Sequence, residues 1–258
     1  MNMPAEFNPN DHIEDTYEYR PLIEQIPEEW RDRIEELSER FRKLYTALVY
    51  DSMEAMGMSG RSLKPGIGPI EPDIDHPAHK VAGPAFTTRR CTTPDTNPAV
   101  HNIRLGQIKS MCQGCIYVSD VQGNVNCGQF GEITATTMRA YGGCVGAVID
   151  GSTRDSDYLI KMGFPTFVRW RSPVEGYGRS MTVEYMVPIY VNGVDGMLRI
   201  DPGDYIFGDG DGVVVIPKDK VLAVLEQAEK WYNDEKKSRR AMADGENPFD
   251  VYNKYGRF

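Results

Sequence analysis

The chain lacks long hydrophobic runs and any excess of positive charge. No apolar stretch approaches the roughly 20 residues that a membrane-spanning helix needs, and the acidic N-terminus has no basic-then-apolar signal pattern. The net charge is −9 with scattered Lys and Arg, whereas phosphate binding requires these residues to be concentrated. We therefore expect a cytoplasmic protein with neither a nucleic-acid partner nor a membrane partner.

The chain also lacks paired cysteines and the standard nucleotide-binding motifs. Five cysteines at irregular spacing are typical of a reducing compartment rather than of a disulfide framework. Cys112 and Cys115 form one C-x-x-C, but Cys127 and Cys144 do not supply the second pair that a zinc site needs. The glycine-rich segment GQFGEIT matches neither the dinucleotide nor the P-loop spacing. We expect the cysteines to be small buried hydrophobic residues.

What is present is the composition of an ordinary globular protein. Hydrophobic residues make up 40% and charged residues 26% of 258 residues, which is enough for one sizeable domain. From Pro27 an amphipathic helix is predicted to continue to Gly57, with room for a bend. Its apolar face repeats every three or four residues and consists of Trp30, Ile34, Leu37, Phe41, Leu44 and Leu48.

Strand and helix patterns alternate in the middle of the chain and short strands cluster after it. Apolar runs bounded by turn residues predict strands, and 3.6-residue periodicity predicts helices. The predicted strands cover 81–91, 115–121, 144–150 and 164–170, with hairpins over 187–217; the predicted helices follow Pro98 and cover 131–141 and 218–240. This order predicts one layered α/β domain around a central sheet. The apolar residues after 240 predict a tail that packs on another element or subunit.

One loop places an arginine among carboxylates directly after a fully apolar strand. It lies within the segment 131–169 and carries Asp150, Arg154, Asp155 and Asp157. An arginine can form two hydrogen bonds to a substrate carboxylate, and an aspartate can bind a hard divalent cation. A cation bridging the carboxylate and keto oxygens of a 2-oxo acid would stabilise an enolate. The alternative interpretation is an ordinary surface salt bridge.

The turn GQFGEIT comes before the helix that leads to this loop. A glycine-rich turn at a helix N-terminus offers free N–H groups and the positive end of the helix dipole to an anion. It could hold a carboxylate as well as a phosphate, and the alternative is an ordinary connection between a strand and a helix.

Several motifs in order resemble the RraA-like family. The motifs are ALVYDSMEAMG, LKPGIGPI, KVAGPAFTTR, VPIYVNGV, IDPGDYIFGDGDGVVVIPKDKVLAVLEQA and the run from Gly131 to Arg169. The family includes class II 4-hydroxy-4-methyl-2-oxoglutarate/4-carboxy-4-hydroxy-2-oxoadipate aldolases and regulators of ribonuclease E activity. The resemblance covers about residues 46–230 and so divides the chain into an arm and helix (1–45), an RraA-like catalytic domain (46–230), and a helix end and tail (231–258).

The resemblance implies a layered β/β/α domain that forms a homotrimer or hexamer, here with helical extensions at both termini. It implies that Arg154 binds the substrate and that Asp155 binds Mg²⁺ or Mn²⁺. It assigns carboxylate binding to the turn and helix start, which here are Gly131, Glu132, Ile133 and Thr134. It also assigns proton transfer through a water to Glu132.

The chain departs from the aldolase motif at one position. The motif R-D-x-x-[DE] has an acid three residues after the metal-binding aspartate, and this chain has Tyr158 there. Asp157 is the candidate to replace that acid by holding metal-bound water. An extra glycine in the segment YGGCVG, just before the strand 144–150, also lengthens the spacing from the helix start to Arg154 by about one residue.

From these residues we expect a divalent-metal-dependent lyase that acts on a 2-oxo acid. Retro-aldol cleavage of a 4-hydroxy-2-oxo acid would release pyruvate, and the activity could extend to oxaloacetate decarboxylation. One alternative is that the same metal site performs a different lyase or isomerase reaction on a sugar acid or hydroxy acid. Another is a non-catalytic protein that binds and regulates a ribonuclease, although the regulator branch typically lacks the aspartate that Asp155 supplies.

Overall fold

The computed structural model describes residues 19–96 and 99–256, and of residues 99–102 the backbone only. Its strands are short and bounded by glycine-rich or polar turns, as the sequence pattern predicts. They are β1 (Gly68–Pro69), β2 (Val81–Thr92), β3 (Ile116–Asp120), β4 (Gly146–Thr153), β5 (Thr166–Arg171), β6 (Ser180–Tyr185), β7 (Ile189–Gly193), β8 (Gly196–Ile200), β9 (Tyr205–Asp209) and β10 (Gly212–Ile216).

The larger sheet has the order β1-β5-β4-β3-β2-β9-β10, with β6 also paired to β2, and it curls into a nearly closed barrel. The neighbours among β2, β3, β4 and β5 are parallel, and the other pairs are antiparallel. Strands β7 and β8 form a separate antiparallel hairpin. The GDGDG segment is the β9–β10 turn, so the hairpin interpretation of that segment is confirmed.

The sheet separates two apolar clusters, because successive side chains of a strand point to opposite faces. In β2, Val81 and Ala85 belong to the cluster shared with the β7–β8 hairpin, whereas Ala82 and Phe86 belong to the cluster shared with the helices. The order is therefore hairpin, sheet and helices, and the predicted layered α/β fold class is confirmed.

The helices cover one side of this sheet. They are α1 (Glu28–Arg31), α2 (Ile34–Arg42), α3 (Thr46–Ala55), α4 (Ala99–Gly106), α5 (Glu132–Gly142), α6 (Ser156–Lys161), α7 (Val221–Ala243) and α8 (Pro248–Tyr255). The six apolar residues predicted for the first helix are all buried, and Phe41 packs against Tyr205 of β9 with ring centroids 4.6 Å apart. The N-terminal helices thus share the core of the sheet.

The single helix predicted between Pro27 and Gly57 is wrong, since the structure has three helices there. The chain is extended at Tyr45 (φ −134°, ψ 154°). Contacts from distant residues stabilise this break. The Asp209 carboxylate accepts hydrogen bonds from the backbone N–H (2.8 Å) and hydroxyl (2.7 Å) of Thr46, and Lys80 donates to the carbonyl of Leu44 (2.7 Å). These partners satisfy the polar groups that the two helix ends expose.

At the C-terminus, α7 packs on α3 and α8 packs on α7. The tail prediction is confirmed for Val251, which is fully buried, but Phe249 is 79% exposed. Within the described ranges, no helix combines the length and apolarity that crossing a membrane requires.

Candidate active site

The glycine-rich turn 128–131 is bound to the end of strand β4. The backbone N–H of Gln129 donates to the carbonyl of Ser152 (3.0 Å), and that of Arg154 donates to the carbonyl of Phe130 (2.9 Å). The Thr153 hydroxyl donates to the same Phe130 oxygen (2.9 Å). Two segments more than twenty residues apart are therefore fixed side by side, and the turn meets the Arg-Asp loop directly.

Glycine leaves space in this turn for the side chains that lie beside it. A Cβ added at Gly128 would lie 2.7 Å from Cβ of Arg154, and one at Gly131 would lie 2.5 Å from Oδ2 of Asp155. Real Cβ atoms essentially never approach so closely. The glycines thus let the Arg154 and Asp155 side chains lie against the backbone of the turn.

Helix α5 begins at this turn and its N-terminus faces Asp155. Gly131 occupies the N-cap position and has no side chain to satisfy the first-turn amides. The Glu132 N–H donates to Oδ2 of Asp155 (3.2 Å). The amides of Ile133 and Thr134 follow in the same turn at the positive end of the helix dipole, so this end can bind an anion.

Asp155 adopts a left-handed backbone conformation, with φ 58° and ψ 32°. Residues other than glycine rarely adopt this conformation, and it costs them about 1–3 kcal/mol. Asp and Asn tolerate it best. It brings the carboxylate to 3.5 Å from Nε of Arg154, and the Asp155 side chain stays 38% exposed. The strain therefore coincides with the residue for which the sequence predicts metal binding.

Arg154 and Asp155 line a cavity of about 220 Å³ together with Gly131, Ile133 and Thr134. Five of the predicted site residues are thus brought together. The structure places the others elsewhere. The Glu132 carboxylate accepts a hydrogen bond from the Thr136 hydroxyl (2.6 Å) and does not line the cavity.

The remaining acidic candidates are also outside the cavity. Asp157 and Tyr158 lie on α6 with exposed side chains, and neither lines the cavity of the single chain. From its place in the sequence Asp150 is expected to serve the turn, but the structure buries it within β4. It pairs with Arg169 and accepts a hydrogen bond from the side-chain amide of Asn192 (2.8 Å). It joins β4 and β5 to the β7–β8 hairpin.

Four further charged residues that sequence reasoning did not select line the cavity. Arg90 lies in β2, Asp95 follows β2, and Arg104 lies in α4. Glu175 lies in the loop after β5, with a carboxylate oxygen 3.8 Å from Nη1 of Arg154. The one signal in the sequence is the glycine-containing loop 172–180, in which Glu175 lies. Nothing in the local patterns around Arg90 and Arg104 distinguishes them from other surface or strand arginines.

The oxygen ligands at the cavity fit a hard divalent cation. Mg²⁺ is usually held by one or two protein carboxylates and keeps several waters, and here Asp155 and Glu175 are the carboxylates nearest Arg154. In the part of the chain that the structure describes, no group of three or more His, Cys, Asp or Glu side chains could form a closed metal cage. The donors that are present suit Mg²⁺ or Mn²⁺ better than a soft metal.

The structure is therefore an α/β domain in which the N-terminus of a helix lies beside an Arg-Asp pair. The family model described as RraA-like, Aldolase/RraA, matches residues 46–215. The chain therefore belongs to the RraA-like family, as its motifs predicted.

Three known proteins illustrate how far the similarity extends. A protein of Halalkalibacterium halodurans with the provisional name 4-hydroxy-4-methyl-2-oxoglutarate aldolase is 28% identical over 208 residues, which is 80% of this chain and 88% of that protein. Protein DlpA of Legionella pneumophila is 27% identical over 215 residues, covering 83% of this chain; the match spans only 33% of DlpA. A solved structure of an uncharacterized Pseudomonas syringae protein is 26% identical with a TM-score of 0.72, covering 93% of this chain and 98% of that one.

Proposed function

We propose that the protein is a metal-dependent lyase that cleaves a 4-hydroxy-2-oxo acid and releases pyruvate. The observation that carries this proposal is the contact between the α5 N-terminus and the Arg154–Asp155 pair, with the Glu132 N–H donating to the Asp155 carboxylate. This arrangement offers an anion site and a cation ligand within one cavity. The similarity to a provisionally named aldolase supports the same class of reaction.

In this proposal the 2-oxo acid group binds at the helix end. Its carboxylate accepts hydrogen bonds from the Ile133 and Thr134 amides, and Arg154 binds the carboxylate and the keto oxygen. Asp155 holds Mg²⁺ or Mn²⁺, which when bound polarises the keto group and stabilises negative charge on its oxygen. To bind the metal, the Asp155 carboxylate has to move partly away from the Glu132 N–H. Its side chain is exposed enough to allow this movement.

Retro-aldol cleavage requires a base that removes the proton of the 4-hydroxyl group. As the C3–C4 bond breaks, C4 becomes a carbonyl carbon and the electron pair forms the enolate of pyruvate, which is then protonated at carbon. The family resemblance assigns proton transfer to Glu132, which does not line the cavity, whereas Glu175 does. Comparing Glu132→Gln with Glu175→Gln separates these two candidates, because the base variant should lose turnover and retain pyruvate binding.

The proposal is tested by pyruvate release from a panel of 4-hydroxy-2-oxo acids and from oxaloacetate. Turnover should disappear with EDTA, return with Mg²⁺ or Mn²⁺, and be lost in Asp155→Asn. Lys64→Gln is a matched surface control, since Lys64 does not line the cavity. No metal-dependent turnover of any acid in the panel would reject the proposal and favour a sugar-acid reaction or a regulatory role.

We further propose that the chain assembles as a homotrimer or hexamer. Three large side chains on α5 and α6 are exposed in the single chain, namely those of Ile133 (71%), Tyr141 (82%) and Tyr158 (66%). Ile133 also lines the cavity, so a subunit that covered these residues would adjoin the site. Light scattering coupled to size exclusion should give three or six times 29.1 kDa, and a monomer mass would contradict the assembly.

A further inference from the structure

The C-x-x-C motif forms a tight turn directly before strand β3. The backbone N–H of Cys115 donates to the carbonyl of Cys112 (3.2 Å), and Gly114 between them has a φ of 81°. A hydrogen-bonded turn with a positive φ at its third residue has the pattern of a type II turn, in which the first and fourth Cα atoms lie within about 7 Å. A disulfide needs Cα atoms about 4.4–6.8 Å apart, so this turn gives the two cysteines a spacing that suits one.

The surrounding structure fixes this turn in place. A Cβ added at Gly114 would lie 2.6 Å from Cγ2 of Ile34, so the turn packs closely against α2. The Gly114 N–H donates to the carbonyl of Gly143 (2.9 Å), and the Val145 N–H donates to the carbonyl of Cys115 (2.9 Å). The turn is therefore held between α2 and the connection from α5 to β4, and its two cysteines stay close to each other.

Three thiols lead from the surface into the core at this turn. Cys112 is half buried, whereas Cys115 and Cys144 are fully buried, and all three are free thiols. The Cys115 side chain forms hydrogen bonds with the side chains of Cys112 and Cys144. An oxidant in solution can therefore reach Cys112, and the thiol beside Cys112 is that of Cys115.

Burial decides how these thiols can react. It raises the pKa of the Cys115 thiol, so this residue stays protonated and does not itself react with an oxidant in solution. A soft metal would need three or four converging ligands, and the described residues contain no such group of His, Cys, Asp or Glu. Two adjacent thiols, one of them within reach of solvent, are instead the arrangement in which a first oxidised sulfur is resolved by the second.

We propose that Cys112 and Cys115 are a redox-active pair that a peroxide converts into a reversible disulfide. Hydrogen peroxide transfers one oxygen atom to the Cys112 thiol, which gives a sulfenic acid and one water. The Cys115 sulfur then attacks the Cys112 sulfur, the S–O bond breaks, and hydroxide leaves with the Cys115 proton as a second water. The two sulfurs together lose two electrons and the peroxide gains them. A small thiol reductant reverses the reaction by thiol–disulfide exchange.

The pair is remote from the candidate active site. Gly143, which contacts the turn, is the C-cap of α5, whereas the site lies at the N-terminus of that helix. The 11 residues of α5 span about 16 Å. The proposal therefore does not rest on the proposed function, and its test requires no turnover.

The test treats the reduced protein with one molar equivalent of hydrogen peroxide, blocks the remaining thiols with N-ethylmaleimide and maps the tryptic peptides by mass spectrometry. Trypsin leaves Cys112, Cys115 and Cys127 in the peptide 110–139 and Cys144 in the peptide 140–154. After oxidation, the peptide 110–139 should carry one blocked thiol, at Cys127, instead of three. Titration of the unfolded protein with Ellman's reagent should fall from five free thiols towards three, and dithiothreitol should restore all five.

Two variants make the result specific. Cys112→Ser removes the thiol that the oxidant reaches, so it should form no disulfide and keep Cys115 reduced. Cys91→Ser is the matched control, because Cys91 is also half buried but lies in β2, and it should form the disulfide as the wild type does.

Three results would overturn the proposal. They are addition of oxygen to Cys91 or Cys112 without a disulfide, a disulfide that links the peptides 110–139 and 140–154, and a disulfide that still forms in Cys112→Ser. Should Cys112→Ser fail to fold, the peptide map of the wild type decides, since it locates the oxidised pair without a variant.

Discussion

Replacing Gly131 with alanine tests whether the turn positions Asp155. The backbone at Gly131 is extended (φ −150°, ψ 176°), which alanine adopts without strain, so the substitution acts through the added methyl group. That Cβ would lie 2.5 Å from Oδ2 of Asp155, whereas ordinary contacts begin at 3.4 Å. The carboxylate therefore has to move by roughly 0.9 Å, the difference between these distances.

A displacement of about 1 Å at a reacting group can reduce a rate about 10²-fold, equal to about 2.7 kcal/mol of transition-state stabilisation. The stability should change much less. Asp155 is 38% exposed and its carboxylate can rotate to relieve the contact. The change in the free energy of unfolding should therefore come mainly from the loss of the glycine N-cap, which costs about 1 kcal/mol or less. We expect kcat/KM for pyruvate release to fall about 100-fold and the free energy of unfolding to change by no more than about 1 kcal/mol.

Steady-state kinetics and urea unfolding measure the two quantities. Gly68→Ala is the matched control, because a Cβ there meets nothing within 4 Å and should change neither quantity appreciably. Full activity and unchanged metal affinity in Gly131→Ala would refute the positioning role of the turn. Unfolding of the variant with parallel loss of activity would assign the turn to stability instead.

Further predictions concern Asp155 itself and two bonds at the start of α3. In urea unfolding, the free energy of unfolding of Asp155→Asn should lie within about 0.5 kcal/mol of that of the wild type. That of Asp155→Ala should be lower by roughly 1 kcal/mol more, because Asn tolerates the left-handed conformation and Ala does not. Burial, followed by the hydrogen bond to Glu235, raises the pKa of Tyr45 to about 12. The fold thus favours the protonated phenol, and the stability this provides is complete below about pH 10 and lost as the pH rises towards about 12. Tyr45→Phe should therefore flatten the decline of Tm across that range, and an unchanged decline would contradict the assignment. Thr46→Val removes a hydroxyl donor from the buried Asp209 carboxylate and should cost about 1–3 kcal/mol in urea unfolding, and no loss would refute the capping role.

The sequence predicted those features that depend on neighbouring residues. The first half of the buried strand β4, from Gly146 to Ile149, is an apolar run. The turn, α5 and the Arg-Asp pair all lie within a single segment of the chain. The break before α3 could not be predicted, because it depends on Asp209, which lies 163 residues away from Thr46. The first-helix prediction failed for that reason, although the buried face was right.

The same limit applies to the candidate site: residues that are neighbours in the chain could be predicted, and residues that come from distant elements could not. Arg154 and Asp155 stand next to each other in the chain and carry a recognisable pattern. Arg90 and Arg104 reach the same cavity from β2 and α4, whose positions relative to α5 follow only from the assembled sheet. Glu132 is adjacent to the site in sequence, yet its carboxylate bonds along its own helix to Thr136, which a motif cannot indicate.

Titration of the protein with Mn²⁺, with and without pyruvate, tests directly whether a cation and a 2-oxo acid share one site. Electron paramagnetic resonance measures the free Mn²⁺ at each step. We expect one Mn²⁺ site per chain that binds more tightly when pyruvate is present. The site should disappear in Asp155→Asn, while Asp157→Asn should bind Mn²⁺ as the wild type does. Mn²⁺ binding that is unaffected by Asp155→Asn, or that is indifferent to pyruvate, would contradict a shared site for a cation and a 2-oxo acid at Arg154 and Asp155.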